Sequence, residues 1–294
     1  MKQLIVTADD FGYSRYVNKA IIECLKKGIV TSISLIVNTK YLNESIKLLK
    51  QNKNLDVGIH VNLTEFKPLT KSKILVDENR NFIDKNKWFK GYYKYSSKNE
   101  VEKEIEAQLL KAFSLGLKIT HINGHNHIHI FPNIIDIIIK LAKKFKIKYI
   151  RIPYEINYTK YLQQKGIKSI LYKFSKSAKV KILKNKLKTT DAFYGILNMH
   201  DMDFDKLSNI LMSVKEGTSE LMVHPAYVDK KGDIFHQSRQ REKEMELLTD
   251  DRIKQLIKKF KIKLTNFHNY ENCNNNAKLP TFCWRQCNNI KQNC

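Results

Sequence analysis

The sequence lacks any apolar run of the roughly 18 residues that a helix needs to cross a bilayer. Its first residues, Met1 to Val6, enter a strand pattern directly and show no apolar core of a signal peptide. Hydrophobic residues make up 42% of the chain and charged residues 28%, a balance that excludes an intrinsically disordered protein. We therefore expect a globular, cytoplasmic protein without a membrane partner.

Arginine is scarce, although 53 basic and 29 acidic residues give the chain a formal net charge of +24. Almost all of the excess is lysine, spread along predicted helices such as residues 140–148 and 173–188. Arginine is the side chain expected where a protein reads the edges of bases. The charge therefore does not predict specific nucleic-acid binding, and the abundance of Lys, Asn and Ile indicates a genome-wide compositional bias.

Cysteine is almost absent before the C-terminal tail. Cys24 stands alone on an early predicted helix, where we expect a small buried apolar side chain. The other four are Cys273, Cys283, Cys287 and Cys294. Their spacing matches no zinc motif, and the surrounding segment is rich in Asn and has no periodicity. We predict a disordered tail over residues 271–294.

Short apolar runs rich in β-branched residues alternate with segments of helical periodicity. The predicted strands are Leu4–Ala8, Ser32–Val37, Val57–Val61, Ile119–Ile122, Tyr149–Ile152, Ala192–Tyr194, Leu221–Val223 and Leu264–Phe267. The predicted helices are Val17–Lys27, Leu42–Lys50, Val101–Leu115, Ile134–Phe145, Leu207–Val214 and Arg241–Phe260. This alternation predicts an α/β fold, a distorted (βα) barrel of the TIM type, in a single domain over residues 1–270. An open, doubly wound sheet is the alternative.

Two stretches break the alternation and are predicted insertions, residues 67–99 and 155–188. Segments this long inside a compact domain are usually lids or binding loops. The first is rich in aromatic residues: Trp88, Phe89, Tyr92, Tyr93 and Tyr95. Such side chains suit stacking on sugar rings, and packing beneath the loop is an equal alternative.

Four of the nine histidines fall within nine residues, in the stretch His121-Ile-Asn-Gly-His-Asn-His-Ile-His129. All four occupy odd positions, so in an extended strand they would project from one face. Imidazole is the commonest metal ligand, and His-x-His on one strand face would place two rings around one ion. A polar loop that happens to be rich in histidine is the alternative.

Other polar residues also fall at the ends of predicted strands. They are Asp9, Asp10, His60, Asn62, Arg151, Asp191, His224 and His268. The carboxyl ends of the strands of a parallel barrel open on one face, where such enzymes carry their chemistry. Singly, each has a simpler explanation: the Asp9-Asp10 pair could cap the next helix, and His60 or His224 could be a core histidine. Arg151 is harder to explain so, because an arginine between strand residues needs an anionic partner.

These residues lie in motifs that resemble the YdjC-like carbohydrate deacetylases. The motifs are Thr7-Ala-Asp-Asp-Phe-Gly12, Gly28-Ile-Val-Thr-Ser32, Gly58-Ile-His-Val-Asn-Leu-Thr64, the histidine run, Arg151-Ile-Pro153 and Glu220-Leu-Met-Val-His-Pro225. The resemblance runs in order from about residue 3 to 270. It implies a distorted (βα) barrel akin to that of the wider polysaccharide deacetylases.

The resemblance also implies roles for single residues. Asp10, His60 and His125 align with the ligands of one divalent metal ion, for which both Zn²⁺ and Mg²⁺ remain open. Asp9 aligns with a catalytic base and His224 with a candidate acid. The remaining site residues of this hypothesis are Arg151, which could pair with Asp9, and the substrate-side residues Asn62, His127 and Asp191, of which Asp191 could also pair with His224. Many relatives have Asp-Ser where this chain has Asn123-Gly124, so the hydrogen bonds that support the ligands stay open.

The implied reaction is hydrolysis of the N-acetyl group of an amino sugar or chitooligosaccharide, which releases acetate. The metal would acidify a water molecule and polarise the carbonyl, while Asp9 accepts a proton. An amidohydrolase or phosphoesterase on a similar barrel is an alternative, although those enzymes carry His-x-His after the first strand, where this chain has Asp-Asp. A non-enzymatic metal-binding or polyanion-binding protein is another. The sequence leaves a homodimer open.

Overall fold

A computed structural model describes residues 1–52, 54–155, 166–199, 201–231 and 237–274, with the backbone alone for 271–274. The described residues form one sheet of eight parallel strands. They are β1 Lys2–Phe11, β2 Ser32–Leu35, β3 Val57–Val61, β4 Ile119–Gly124, β5 Tyr149–Ile150, β6 Ala192–Tyr194, β7 Gly217–Val223 and β8 Ile262–Thr265. Every predicted strand is therefore present, with ends that differ by a few residues.

The strands follow the order β5-β4-β3-β2-β1-β7-β6, and β8 pairs with β1. β7 pairs with β1 over residues 2–8, while β8 pairs with residues 2–5 and β2 with residues from Thr7 onward. Since a strand has two edges, β8 and β2 share the edge of β1 that β7 leaves. A parallel bridge between Tyr149 and Lys188 links β5 to the segment before β6. The predicted α/β fold with a distorted barrel is confirmed.

Helices cover the sheet. They are α1 Arg15–Lys27, α2 Leu42–Gln51, α3 Lys85–Phe89, α4 Lys98–Ser114, α5 Ile134–Lys144, α6 Ile167–Lys184, α7 Phe204–Ser213, α8 Gln240–Thr249, α9 Asp251–Lys259 and α10 Phe267–Asn274. The prediction of one helix over Arg241–Phe260 is wrong. The backbone of Asp250 is extended and its side chain accepts a hydrogen bond from Arg252 N, so this residue ends α8 and caps α9.

The first predicted insertion is only partly loop. It contains α3 and a 3-10 turn over Tyr92–Lys94, and the side chain of Trp88 is fully buried. Phe89 and Tyr93 pack edge-on against Phe131, at ring distances of 5.1 and 5.4 Å. Packing therefore accounts for most of these aromatic side chains, although Phe89 also reaches the cavity described below.

The second predicted insertion contains α6, and its residues 156–165 lie outside the described residues. The tail predicted over residues 271–294 begins within α10, and residues 275–294 lie outside the described residues. Cys24 is buried, as predicted. Among the residues that the structure describes, no helix is both long and apolar enough to span a membrane.

The four clustered histidines do not share one strand face, so that prediction is wrong. Only His121 lies on β4, which ends at Gly124, and a 3-10 turn follows over His125–Ile130. A Cβ atom at Gly124 would lie 2.9 Å from Nδ1 of His129, because the chain folds back on itself there. The turn bends the run away from the strand direction and separates the four rings.

Candidate metal centre and active site

Strand ends bring polar side chains to one cavity of about 430 Å³. Asp9 and Asp10 lie in β1 and His60 in β3, while His125 follows β4 and His224 follows β7; all five line the cavity. Because the strands are parallel, their carboxyl ends open at one face of the sheet. The structure thus gathers residues that are up to 215 positions apart in the sequence.

An irregularity in β1 explains why two adjacent carboxylates face the same cavity. Neighbouring residues of a regular strand point to opposite faces. The pairing of β1 with β2 shifts register between Ala8 and Phe11, and Asp10 has a positive φ of 68°. A bulge of this kind re-aims a side chain next to an active site. Both Asp9 and Asp10 can therefore contribute to one centre.

Asp10, His60 and His125 form a compact, buried group of metal-ligand atoms, all within 4.8 Å of one another. Asp10 Oδ1 lies 2.9 Å from His125 Nδ1 and 3.5 Å from His60 Nε2. One carboxylate with two imidazoles is a donor set that suits a divalent transition metal. Among the described residues, this is the group in which three His, Cys, Asp or Glu side chains lie close enough together to hold one metal ion.

Each of the three side chains has a polar neighbour that orients it. Arg241 donates from Nη2 to Asp10 Oδ2 at 3.1 Å. His60 Nδ1 lies 2.7 Å from the Asn123 amide, and His125 Nε2 lies 3.1 Å from Glu65 Oε1. Such outer partners fix ring orientation and ligand basicity in metal sites. The residues present therefore fit a bound divalent ion.

His125 is held between two carboxylates, those of Asp10 and Glu65. Burial alone would lower the pKa of its imidazole, but Asp10 and Glu65 raise that pKa to about 10. Tyr13 donates a hydrogen bond of 2.6 Å to Glu65 and holds it in place. A positive charge at this position is strongly favoured, which is the electrostatic condition that a cation site requires.

Asp9 lies beside this group and is paired with Arg151, as the sequence hypothesis expects. Both terminal nitrogens of Arg151 donate to the Asp9 carboxylate, and its Nε donates to Glu220 at 2.9 Å. Burial would raise the pKa of Asp9, but the Arg151 guanidinium holds it well below its usual range. Asp9 is therefore an ionised carboxylate. The helix-cap alternative is not observed, because Ser14 caps α1.

His224 lies close to Asp9 in the cavity, with Nε2 4.0 Å from Asp9 Oδ2. Its backbone is held on both sides: the N–H donates to Glu244 at 3.0 Å, and the carbonyl accepts from Arg241 Nε at 2.8 Å. Burial raises the pKa of Glu244 to about 7. Arg241 thus touches both Asp10 and the residue that carries the candidate acid.

His127 also lines the cavity, and its Nδ1 has no hydrogen-bond partner among the described residues. Its φ is 57°, and burial holds the pKa of its imidazole well below the usual value. A buried, neutral ring with an unused nitrogen is available to a polar group that enters the cavity.

Two predicted site residues lie elsewhere. The amide of Asn62 is used within its own loop, donating to Glu65 O and Asn38 Oδ1 and accepting from Thr64 N. Asp191 is exposed at the amino end of β6, where its carboxylate accepts from Thr218 N. The Asp191 carboxylate is thus held by Thr218 rather than by His224, and neither Asn62 nor Asp191 lines the cavity formed by the described residues.

Three other histidines, His121, His129 and His268, make contacts away from the cavity. The His121 ring stacks on Phe267 at 4.1 Å, and His129 Nε2 lies 3.0 Å from Arg151 O. His268 is exposed, and its backbone N–H donates to Asp56. None of these three rings lines the cavity that is formed by the described residues.

The sequence alone does not single out several polar residues around the site. They are Glu65, Glu220, Arg241 and Glu244. Of these four, Glu220 could have been noticed from the sequence, because it is an acidic residue in an apolar strand and lies in the motif Glu220-Leu-Met-Val-His-Pro225. Arg241 and Glu244 begin an ordinary-looking polar helix, and their role depends on where α8 packs.

Comparisons with known proteins agree with this geometry. Residues 3–259 match the sequence profile of the family described as YdjC-like protein. A protein of Thermoanaerobacter pseudethanolicus named carbohydrate deacetylase is 35% identical over 272 residues, which cover 91% of this chain and 98% of the relative. A protein of the same name from Clostridium beijerinckii is 32% identical over 269 residues, which cover 90% and 98%.

A solved structure from Enterococcus faecalis V583 has the same fold. It is titled as a candidate cellobiose-phosphate cleavage protein, and it matches this chain with a TM-score of 0.74 at 25% sequence identity. The match covers 92% of this chain and 98% of that one. The likeness therefore extends over nearly the whole length of both proteins.

Proposed function

Because this chain belongs to the YdjC-like family, we propose that it is a metal-dependent carbohydrate deacetylase that releases acetate from an N-acetylated amino sugar or chitooligosaccharide. Two relatives that share about a third of its residues carry the name carbohydrate deacetylase. The observation that carries the proposal is the buried Asp10–His60–His125 group next to an ionised Asp9 and to His224. These are the parts that metal-assisted amide hydrolysis needs.

The proposed ligands are Asp10, His60 and His125, and Zn²⁺ and Mg²⁺ are both consistent with a carboxylate and imidazole set that has room for further ligands. When bound, a divalent ion supplies Lewis acidity toward the acetyl carbonyl and toward water. The two nitrogen ligands favour zinc over magnesium.

Asp9 is the proposed base. Its carboxylate is ionised and oriented by two hydrogen bonds from Arg151, so it can accept a proton from water as the water oxygen attacks the acetyl carbon. Arg151 has a positioning role, because it keeps the pKa of Asp9 low and fixes the direction of its oxygens. Glu220 forms a second salt bridge with Arg151, at 2.8 Å from its Nη2.

His224 is the proposed acid. Its Nε2 lies 4.0 Å from Asp9 Oδ2 in the same cavity, and we assign to it the donation of a proton to the sugar nitrogen as the C–N bond breaks. The products are acetate and a free amine, and the proton taken up by Asp9 balances the one that His224 gives. His127 is proposed to bind a polar group of the substrate through its unused nitrogen.

The test is a panel of N-acetylglucosamine oligomers with purified protein and added Zn²⁺ or Mg²⁺, with acetate measured enzymatically. Acetate release that Asp10→Asn and His125→Ala abolish supports the proposal. His268→Ala is the matched control, because it removes an exposed histidine outside the cavity and should leave the rate unchanged. No acetate from any oligomer would refute the substrate claim.

A cellobiose phosphate belongs in the same panel, because the Enterococcus relative carries that substrate in its title. Release of phosphate or glucose without acetate would favour the phosphoesterase or other hydrolase alternative. The cytoplasmic location, the absence of specific nucleic-acid binding and the open question of a homodimer stay predictions for cell fractionation, salt-dependent binding assays and light scattering.

A further inference from the structure

Asn123 is fully buried at the carboxyl end of β4, where it pairs in register with His60 of β3. One terminal atom of its amide lies 2.7 Å from His60 Nδ1 and 3.2 Å from Ile59 O. The other lies 2.6 Å from Ser34 Oγ and 2.9 and 3.0 Å from the two terminal nitrogens of Arg151. An amide has one accepting and one donating end, so its orientation decides which neighbours are satisfied.

The groups of the protein favour one orientation. With the nitrogen toward His60, the amide donates to Nδ1 and to Ile59 O, and its oxygen accepts from Arg151 and Ser34. With the oxygen toward His60, the amide accepts from Nδ1–H, and its nitrogen donates to Ser34 Oγ at 2.6 Å and to Asp9 Oδ1 at 3.3 Å. In this orientation, however, the nitrogen also faces the terminal nitrogens of Arg151, which can only donate. Two donors held about 3 Å apart in a buried site are unfavourable.

The orientation also decides which nitrogen of His60 carries the hydrogen. A neutral imidazole has one N–H and one lone pair. In the favoured orientation the lone pair is on Nδ1, so the hydrogen is on Nε2, the nitrogen that faces Asp10 Oδ1 at 3.5 Å. Metal binding through Nε2 needs the opposite arrangement, with the hydrogen on Nδ1 and the oxygen of Asn123 as its acceptor.

We propose that the Asn123 amide is a positioning device that turns over when an ion binds at His60, and that this turn weakens the metal affinity of the site. The inference rests on the proposed metal-binding function. Without the ion, the Asn123 oxygen accepts from Arg151 and its nitrogen donates to His60 Nδ1, so His60 stays in the Nε2–H form. With the ion, the Asn123 oxygen accepts from His60 Nδ1–H. The amide nitrogen then lies next to Arg151 and can donate to Ser34 and Asp9.

The tautomer of His60 in the full-length, metal-free protein tests the first half of the proposal. Long-range ¹⁵N–¹H NMR spectra of ¹⁵N-histidine-labelled protein at about pH 8 report which ring nitrogen is protonated. We expect Nε2–H before zinc is added and Nδ1–H at saturation. A hydrogen on Nδ1 in the metal-free protein, whether on that nitrogen alone or on both, would overturn the proposal.

Asn123→Asp tests the second half, because a carboxylate can accept from His60 Nδ1–H and from Arg151 at the same time. This variant should hold His60 in the Nδ1–H form without metal. It should also bind zinc about tenfold or more tightly, as changes in outer partners of metal ligands typically do. Isothermal titration calorimetry with zinc alone gives the affinity, independently of any catalytic rate.

Asn126→Asp is the control for charge, because it adds the same carboxylate to the cavity wall at a residue whose amide bonds Thr64 rather than His60. Equal tightening in both variants would show that charge and not the His60 tautomer governs affinity, and would contradict the proposal. If zinc binds neither protein, the proposed function fails. The metal-free tautomers of the parent and of Asn123→Asp would still decide the orientation of the amide.

Discussion

Asp9 and Asp10 are adjacent and chemically identical, yet their surroundings suit Asp9 to the role of base and Asp10 to that of metal ligand. Arg151 is paired with Asp9, whereas Arg241 and His125 are paired with Asp10. Burial would raise the pKa of both carboxyls, but these cationic neighbours outweigh burial and lower both pKa values below the usual range. The pair therefore stays doubly ionised in a buried site, a state that the cations around it stabilise.

Asp9→Asn should separate catalysis from metal binding. The amide keeps the shape of the carboxylate but cannot accept a proton, so we expect kcat for acetate release to fall about 10²- to 10⁴-fold. The metal content, measured by plasma mass spectrometry, should remain that of the parent, because Asp9 is not in the ligand group. Loss of the metal, or a rate within a few fold of the parent, would refute this division of roles.

Glu155 should make stability depend on pH. Burial raises the pKa of its carboxyl from 4.5 to about 7, although Ile196 N and Leu197 N donate to it. Since the folded state binds this proton more tightly than the unfolded state, the contribution of Glu155 to stability is complete below pH 4.5 and is lost as the pH rises through 7. Glu155→Gln removes the effect and should be more stable than the parent by roughly 3 kcal/mol at pH 8.

Urea unfolding of both proteins between pH 5 and 8 measures that difference. It should grow from pH 5 to about pH 7 and then level off. A difference that is constant over this range, or one that shrinks as the pH rises, would mean that the folded carboxyl does not hold its proton.

Sequence patterns can locate the centre of the site at the residue scale but not its surroundings. Asp9, Asp10, His60 and His224 could be found because polar residues at strand ends of a parallel sheet converge. The same rule gave a wrong position for Asp191, because this residue precedes β6 and so lies at the amino end of the strand, whereas the cavity lies at the carboxyl ends. Glu65 and Arg241 could not be found, because their contacts depend on how a loop and α8 pack.

At the scale of elements, a close contact between β3 and β4 fixes the position of the strand that carries His60. Gly58 has no side chain, and a Cβ there would lie 2.3 Å from His121 Nε2. The His121 ring cannot retreat, because it stacks on Phe267 of α10. The strand pair, the histidine and the last helix therefore pack as one unit.

Gly58→Ala should destabilise the protein by about 1–3 kcal/mol or more, because it overpacks a buried contact. Adding His121→Ala to that variant should recover part of the loss, since the new methyl group then has space. Thermal or urea unfolding of both single variants and the double variant measures the coupling. Strictly additive losses would show that the two residues do not contact each other.

Periodicity predicts these elements well where they are regular and poorly where a local interaction interrupts them. Every strand could be located, because β-rich apolar runs are short and separated by helical segments. The break between α8 and α9 could not, because the apolar pattern continues across Asp250 and only its backbone and cap reveal it. The turn after β4 was likewise hidden, since alternating histidines resemble a strand.

At the scale of the whole molecule, the strands of one sheet and the turns that follow them carry the proposed metal ligands, base and acid. The cavity takes residues from β1, β3, the turn after β4 and the end of β7, and a continuous hydrophobic cluster runs beneath them from Leu4 to Ile262. We propose on this basis that residues 1–270 form one domain. Of the lysines in the part of the chain that the structure describes, Lys85 lies at the wall of the cavity and the others do not line it.

The central claim is that one divalent ion at Asp10, His60 and His125 is required for hydrolysis of an N-acetyl group. It is tested most directly by stripping the protein with a chelator and titrating zinc back while acetate release from an N-acetylglucosamine oligomer is measured. We predict that stripped protein releases no acetate and that the rate rises linearly to a break at one ion per chain. Acetate release that survives stripping, or that shows no dependence on added metal, would contradict the account.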